Sequence, residues 1–388
     1  MKALAAFLAL TVLTLALLGG SILASVSSIA ILRQQGFSFS VALLAFGAIL
    51  LIPHSFWTRK PVVAAMAAVI IFGLAAVHIP GLSHASKGAT RWITIGGRYF
   101  QPSELVKITF ILLLSWWMSG PAQRAASSIS EYKRRVLIPI AALAFVAAGF
   151  LAQGDFGSVI MLSAAAVPLM LIGGARFHRL LLYGAVAVAV MGTLTMNNPE
   201  RRSRVMAKLA PLIAKTAEAK NEAVSADDRH HVNQSLLAFQ AGGKTGRGIG
   251  ESIYKHKYLP ENHTDFVLAM VGEEWGFAGT SACIGLFFII FLIGLAAAAR
   301  APDIYSSYLA FGLTLHICLS AAVNAAVVTD MVPTKGLALP FISAGGSNLL
   351  CSVIAAAFII SICWRSKEFG SGSYKEEDAY DQTEFIPS

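Results

Sequence analysis

Long apolar runs separated by short polar turns make up most of this chain. Runs able to cross a hydrocarbon core of roughly 30 Å fall at about 4–32, 38–57, 61–80, 103–120, 136–152, 157–174, 179–195, 265–299, 305–329 and 346–364. The pattern predicts an all-α, polytopic membrane protein with about ten transmembrane helices and a long extracytoplasmic loop, 196–264, between helices 7 and 8. The first run continues past the usual ~7–15 apolar residues of a secretory signal and lacks a clear cleavage context, so it reads as a retained span. Residues 1–365 then form one transmembrane domain, and the Gly/Ser-rich, later acidic stretch 366–388 reads as a disordered cytoplasmic tail.

Composition supports this class: 56% of the 388 residues are hydrophobic and only 13% charged, with a mean hydropathy of +0.66, too apolar for a water-soluble chain. Basic residues set the orientation, because short cytoplasmic loops carry the Lys/Arg excess. With the N-terminus inside, the inner segments hold Lys2, Arg59, Lys60, Arg124, Lys133, Arg134, Arg135, Arg176, Arg179, Arg300, Arg365 and Lys367, against Arg33, Lys87, Arg91, Arg98 and Lys335 in the short outer loops. Both termini are therefore expected in the cytoplasm. The net charge of +9 is largely topological and calls for no nucleic-acid partner. All four cysteines lie inside predicted spans, which excludes a disulfide framework, and no His/Cys/carboxylate cluster has metal-site spacing.

Three polar inserts are expected on the outer side. In the first, Trp92, Tyr99 and Phe100 suit an interfacial belt, Gly96-Gly97 a turn, and Pro102 the first turn of the next helix. The insert is expected to lie along the membrane surface. Glu104 and Lys107, three apart, share a helix face and offset one another's desolvation; a salt bridge and a catalytic role are both compatible with that spacing. In the second insert Asp155 precedes a helix, where a negative charge favours the dipole. The third is the long loop, with eleven Lys and Arg against seven Asp and Glu from 196 to 264. It could face solvent or attract anionic headgroups and diphosphates. Within it 209–223 could lie on the membrane as an amphipathic helix, Val232 to Gln240 reads as a short helix, and GGKTGRGIGES as a Gly-rich turn.

The segment LPENHTDFVLAMVGEEWG places Asp265 where this polar loop meets an apolar helix, and an ionisable group at a membrane boundary is a functional candidate. Spacing alone also allows it to be a helix N-cap or first-turn residue with Thr264. Glu273 and Glu274, further along, are expected to face the interior against basic or polar partners, and Asn324 to hydrogen-bond between helices.

Five motifs occur in fixed order: RWITIGGRYFQPSELVK, QGDFGS, NQSLLAFQAGGKTGRGIGES, YLPENHTDFVLAMVGEEWG and MVPTKGLALPFISAGGSNLL. Together they resemble the SEDS family of peptidoglycan polymerases, which includes FtsW, RodA and SpoVE. Lys335 within PTKGLALP is most similar to the FtsW branch. Departures from the family pattern are Ala344 in Ser343-Ala344-Gly345-Gly346-Ser347-Asn348, Gly154 before Asp155, and the segment 206–228.

The resemblance implies a glycosyltransferase that polymerises lipid II at the outer face of the bacterial inner membrane, during septal synthesis in cell division. It implies a catalytic base at Asp265 and substrate contacts from Lys335, Lys107, Arg91, Arg98, Lys244, Arg247, Ser343, Gly345, Gly346 and Ser347. Supporting roles fall to Glu104, Asp155, Gln234, His263, Thr264, Glu273, Glu274 and Asn324. No cofactor is demanded, although a divalent cation, Mg²⁺ or Mn²⁺, could bridge carboxylate and diphosphate. The implied partners are lipid II, a class B penicillin-binding transpeptidase and other divisome proteins. Competing readings are a lipid II flippase, a non-catalytic divisome scaffold and a RodA-like elongation polymerase.

Overall fold

A computed structural model describes residues 1–86, 89–120, 129–175, 177–178, 180, 185, 226–254, 264–332 and 337–366. Its helices are α1 (Lys2–Val26), α2 (Ile29–Leu51), α3 (His54–Trp57), α4 (Lys60–Ala76), α5 (Pro102–Ser119), α6 (Ile129–Ala152), α7 (Phe156–Ile172), α8 (Ala226–Gly242), α9 (Val267–Ala299), α10 (Ile304–Val328) and α11 (Gly346–Arg365). Among the described residues α1, α2, α9, α10 and α11 are long and apolar enough to cross a membrane, and α4, Val136–Ala152 of α6, and α7 are shorter apolar helices. Most of the predicted seventh run, 179–195, lies outside the described residues, as do 196–225, 255–263 and 367–388.

Helix α11 forms the centre. It packs against α1, α2, α5 and α10, while α9 packs against α1, α8 and α10. One apolar core joins α1, α9, α10 and α11 through residues such as Leu15, Ile22, Leu309, Leu313 and Phe358. A second, with Phe110, Phe150, Leu162 and Leu169, fills the space between α4, α5, α6 and α7.

Two sequence expectations need correction. The first run does not continue to 32: Ser27 and Ser28 are extended, and α2 starts at Ile29 rather than 38. Serine competes for backbone partners and favours such breaks, but the apolar Ile29, Ala30 and Ile31 follow at once, so hydropathy runs straight through. The chain is also not all-α. Residues Ser83–Ser86 (β1), Ala89–Ile95 (β2) and Arg98–Phe100 (β3) form an antiparallel sheet in the order β1-β2-β3. Gly96 and Gly97, at φ 56° and 74°, turn β2 into β3 with Ile95 opposite Arg98, as a two-residue hairpin turn requires. Ile93 is buried with Ala76 and Val77, which docks the sheet on the end of α4.

The described part of the long loop packs on the bundle along one side and stays exposed at its glycine-rich turn. Helix α8 lies on α9, with Val232 and Ala238 buried, and the Ser235 hydroxyl donates to the Val328 carbonyl at 2.8 Å. The glycine-rich turn after α8 fits a break in α9 at Gly276, whose φ of 69° and ψ of −165° are non-helical. There the Arg247 and Gly248 amides donate to the Glu273 and Glu274 carbonyls, both at 3.0 Å, and the Phe277 and Ala278 amides donate to the Gly243 and Lys244 carbonyls at 2.9 and 3.1 Å. The turn thus serves backbone groups that the break frees, as buried backbone requires. A β-carbon on Gly246, at φ 83°, would overlap the Glu274 carbonyl.

At the opposite end of the bundle Arg365 donates to the carbonyls of Leu50 and Ile52, at 2.9 and 3.0 Å. His54 Nε2 lies 3.3 Å from the Ser361 hydroxyl. Burial first, and the nearby Arg365 charge second, hold the His54 imidazole below its usual pKa, against smaller opposing effects of Ser361 and Asp303.

Two outcomes follow from these contacts. Gly246→Ala should cost about 1–3 kcal/mol through forced left-handed strain and overlap, seen as a lower thermal midpoint in detergent. Because the folded His54 pKa is lowered, the unfolded state binds more protons near pH 6, so stability should fall as pH drops below ~6.5. Thermal midpoints of His54→Gln between pH 7.5 and 5.5 should show a shallower decline than wild type.

Candidate functional site

The first component of the site is a non-helical segment inside the bundle. From Leu337 to Gly345 the chain makes no regular structure, yet Leu339, Phe341, Ile342 and Ser343 are all buried. Their apolar side chains carry the backbone inward. Irregular backbone at membrane depth persists only where protein or water satisfies its polar groups. Here the Leu339 amide donates to the Ser343 hydroxyl at 2.8 Å, and the Ser343 amide to the Leu339 carbonyl at 3.1 Å. Gln35 of α2 donates to the Ser343 carbonyl at 3.4 Å, and Asn324 of α10 to the Leu337 carbonyl at 2.7 Å. Phe341 sits at φ 65°, a left-handed conformation that a phenylalanine rarely adopts without reason.

The second component is the turn that carries Asp265. Residues 264–266 are a turn ahead of α9, with Asp265 half-buried. The N-cap position of α9 falls on Phe266, whose own side chain makes no cap. The backbone of this turn is held from outside: Asn324 Nδ2 donates to the Asp265 carbonyl at 2.9 Å, and the Ser343 hydroxyl to the Thr264 carbonyl at 2.5 Å. Asn324 therefore joins a helix to two non-helical segments rather than one helix to another. Glu273 and Glu274 are buried, as expected, and among the described residues hydroxyls and amides are the polar partners that serve them. Ser252 donates to Glu273, as do the Ile253 and Tyr254 amides at 2.7 and 3.4 Å. Ser25 of α1 donates to Glu274.

The third component gathers at the same end, where α5, α7 and α11 begin. Asp155 caps α7 by accepting from the Ser158 amide at 3.2 Å. It also accepts from the hydroxyls of Ser103 at 3.0 Å and Ser158 at 2.7 Å, and from Gln101 Nε2 at 3.3 Å. Arg91 approaches it at 3.9 Å. Ser347 accepts from the Gln101 amide at 2.8 Å, which ties the start of α11 to that of α5. Arg98 stacks over Phe37 of α2, 3.3 Å from the ring centroid, a cation–π geometry. Gly345 is the N-cap of α11, and a β-carbon on Gly346 would come within 2.5 Å of the Ser38 hydroxyl, so small residues let α2 approach. One turn into α5, Lys107 and Glu104 pair at 2.8 Å with both side chains buried.

Sequence-predicted residues thus converge in part. Asp265, Thr264, Ser343 and Asn324 form one bonded group; Asp155, Arg91 and Ser347 belong to a second. Lys244 and Arg247 are exposed on the glycine-rich turn, and Gln234 is half-buried on α8. Lys335 and His263 lie outside the described residues. Gln35, Gln101, Ser103 and Ser158 are site residues that sequence reasoning passed over; only Ser158, three after Asp155, carried a local signal, that of a capped helix start. Among the described residues no group of three His, Cys, Asp or Glu could hold a metal.

Comparison with known proteins identifies the family and the fold. The family model for the FtsW, RodA and SpoVE cell cycle proteins matches residues 1–368. A probable peptidoglycan glycosyltransferase FtsW from Geobacter sulfurreducens is 34% identical over 339 residues, covering 87% of this chain and 86% of its own. Among solved structures, a chain of a peptidoglycan synthase complex that coordinates polymerization and crosslinking superposes with a TM-score of 0.69 at 21% identity, covering 92% of this chain and 96% of that one. The rod shape determining protein RodA of Thermus thermophilus gives 0.62 at 19% identity, covering 93% and 97%. At those identities the structures speak for the fold alone.

The Glu104–Lys107 pair yields a stability prediction. Lys107→Met leaves a buried carboxylate without its cation and should cost about 3–5 kcal/mol. Adding Glu104→Gln should return most of that loss in the same thermal-unfolding measurement.

Proposed function

The chain belongs to the FtsW/RodA/SpoVE family of cell cycle proteins, and we propose that it is a peptidoglycan glycosyltransferase that polymerises lipid II into glycan strands. The observation that carries this reading is the family match along residues 1–368, taken with a half-buried Asp265 held beside a buried, irregular segment of the bundle. The name borne by the Geobacter relative supports the FtsW branch and, with it, septal synthesis. In the orientation set by the basic residues, this end of the bundle faces the outside of the inner membrane and both termini face the cytoplasm.

In the proposed reaction the 4-hydroxyl of the acceptor N-acetylglucosamine attacks the anomeric carbon of the donor N-acetylmuramic acid. A new C–O bond forms, the bond from the anomeric carbon to the diphosphate oxygen breaks, and undecaprenyl diphosphate leaves with the electron pair. Asp265 accepts the hydroxyl proton as the general base. Arg91, Arg98 and Lys335 are the cations proposed to meet the charge that develops on the diphosphate. Among the described residues, Asp265 is the carboxylate that would hold a Mg²⁺ or Mn²⁺ ion, which would supply positive charge for the leaving diphosphate.

The growing strand must be crosslinked, so a class B penicillin-binding transpeptidase is the proposed partner; the chain of similar fold comes from a peptidoglycan synthase complex that coordinates polymerization and crosslinking. A lipid flippase is less well supported: transport sites lie near the bilayer midplane, whereas the ion pair Glu104–Lys107 stands in the first turns of α5.

Asp265→Asn, assayed with purified lipid II and the transpeptidase partner, should lose about 10²- to 10⁴-fold in glycan formation, the usual worth of a positioned general base. Wild-type turnover by the folded variant would remove Asp265 from the mechanism.

A further inference from the structure

We propose that Asn324, Ser343 and, through them, Gly19 are positioning residues for Asp265, a role that rests on the polymerase reading above. The backbone of the turn bearing Asp265 is held by side chains from other elements. Asn324 Nδ2 donates to the Asp265 carbonyl at 2.9 Å, and the Ser343 hydroxyl to the Thr264 carbonyl at 2.5 Å. Asn324 is 1% exposed, and the same Nδ2 also reaches the Leu337 carbonyl at 2.7 Å. Two carbonyl acceptors require the amide nitrogen on that side, so the orientation of the side chain is fixed by its partners. Both hydrogens are thereby committed to non-helical backbone, one to the turn and one to the start of the buried segment. Ser343 lies at the other end of that segment. Asp265 therefore rides on the buried segment at two points.

The segment has its own seat. A β-carbon on Gly19 of α1 would stand 2.6 Å from the Ile342 Cα and 2.9 Å from its carbonyl oxygen, and 3.0 Å from the Phe341 oxygen. Those are backbone atoms, which cannot swing aside as a side chain can, and Phe341 already occupies a left-handed conformation. Gly19 lies about 10 Å from the end of α1 at Val26, given a rise of ~1.5 Å per residue. An added methyl there must push Ile342 and Ser343 away from α1, and the Thr264–Asp265 turn with them. The neighbouring Gly20 has nothing within 4 Å of the corresponding position. It is a built-in control, one residue away on the same helix.

The test measures kcat, KM and the pH profile of glycan formation from lipid II, with the transpeptidase partner present, for wild type, Asn324→Asp, Gly19→Ala, Gly20→Ala and Asp265→Asn. Asn324→Asp keeps the shape of the side chain and removes both donors. Displacing a reacting group by about 1 Å costs up to ~10²-fold. The expected result is therefore a kcat lower by about 10- to 100-fold in Asn324→Asp and Gly19→Ala, with KM within about threefold. The acidic limb of kcat should flatten in both as the base ceases to contribute, and Gly20→Ala should match wild type. Ser343→Thr should retain activity that Ser343→Ala loses. A merely structural role would lower the thermal midpoint and leave kcat and the pH profile of the folded protein unchanged. That result in both Asn324→Asp and Gly19→Ala, beside an inactive Asp265→Asn, would overturn the positioning role and leave the polymerase reading standing. Full activity of Asp265→Asn would remove the base, and its positioning residues with it.

Discussion

Backbone polar groups buried without regular structure govern this site. Between Leu337 and Gly345 the chain enters the bundle unwound, and each buried carbonyl or amide left unpaired there would cost several kcal/mol in a medium without water. Side chains from three directions meet that need: Gln35 from α2, Asn324 from α10, and Ser343 from the segment itself. Because Asn324 and Ser343 also hold the carbonyls of Asp265 and Thr264, the demand that keeps the segment folded also fixes the turn in front of α9. Structural necessity and catalytic placement share the same hydrogen bonds.

A similar economy shapes α9. Its break at Gly276 frees carbonyls and amides that the turn 243–248 takes up through its own backbone. On the near side of the break, Glu273 gathers the Ser252 hydroxyl and the Ile253 and Tyr254 amides. The chain that leads towards Asp265 is thus anchored by Glu273 where it sets out and by Asn324 and Ser343 where it arrives. At Glu273 and Glu274, among the described residues, hydroxyl and amide donors serve carboxylates where lone charges are costly.

Much of the architecture was legible in the apolar pattern, because lipid leaves helices few alternatives. The boundary between α1 and α2 was not, since Ser27 and Ser28 interrupt an apolar run without interrupting its hydropathy. The sheet was half legible: Gly96-Gly97 announced a turn, but the strands on either side are short and aromatic and also suit an interfacial stretch. At the site, Asp265 stood out by its place between loop and span, and Glu104–Lys107 by helical spacing. Gln35, Gln101 and Ser103 did not, because their partners Ser343, Ser347 and Asp155 are distant in sequence and brought near only by the packing of α2, α5, α7 and α11. Gly19 carried no signal at all, being one of two adjacent glycines that differ only in what faces them.

The most direct measurement is an electron cryomicroscopy structure of the Asp265→Asn protein with its transpeptidase partner and lipid II. The expected density places an acceptor sugar hydroxyl within hydrogen-bond distance of the substituted side chain, and the donor diphosphate against Arg91, Arg98 or Lys335. Lipid II headgroups found only within the bundle near the bilayer midplane, away from that turn, would contradict a polymerase built around Asp265.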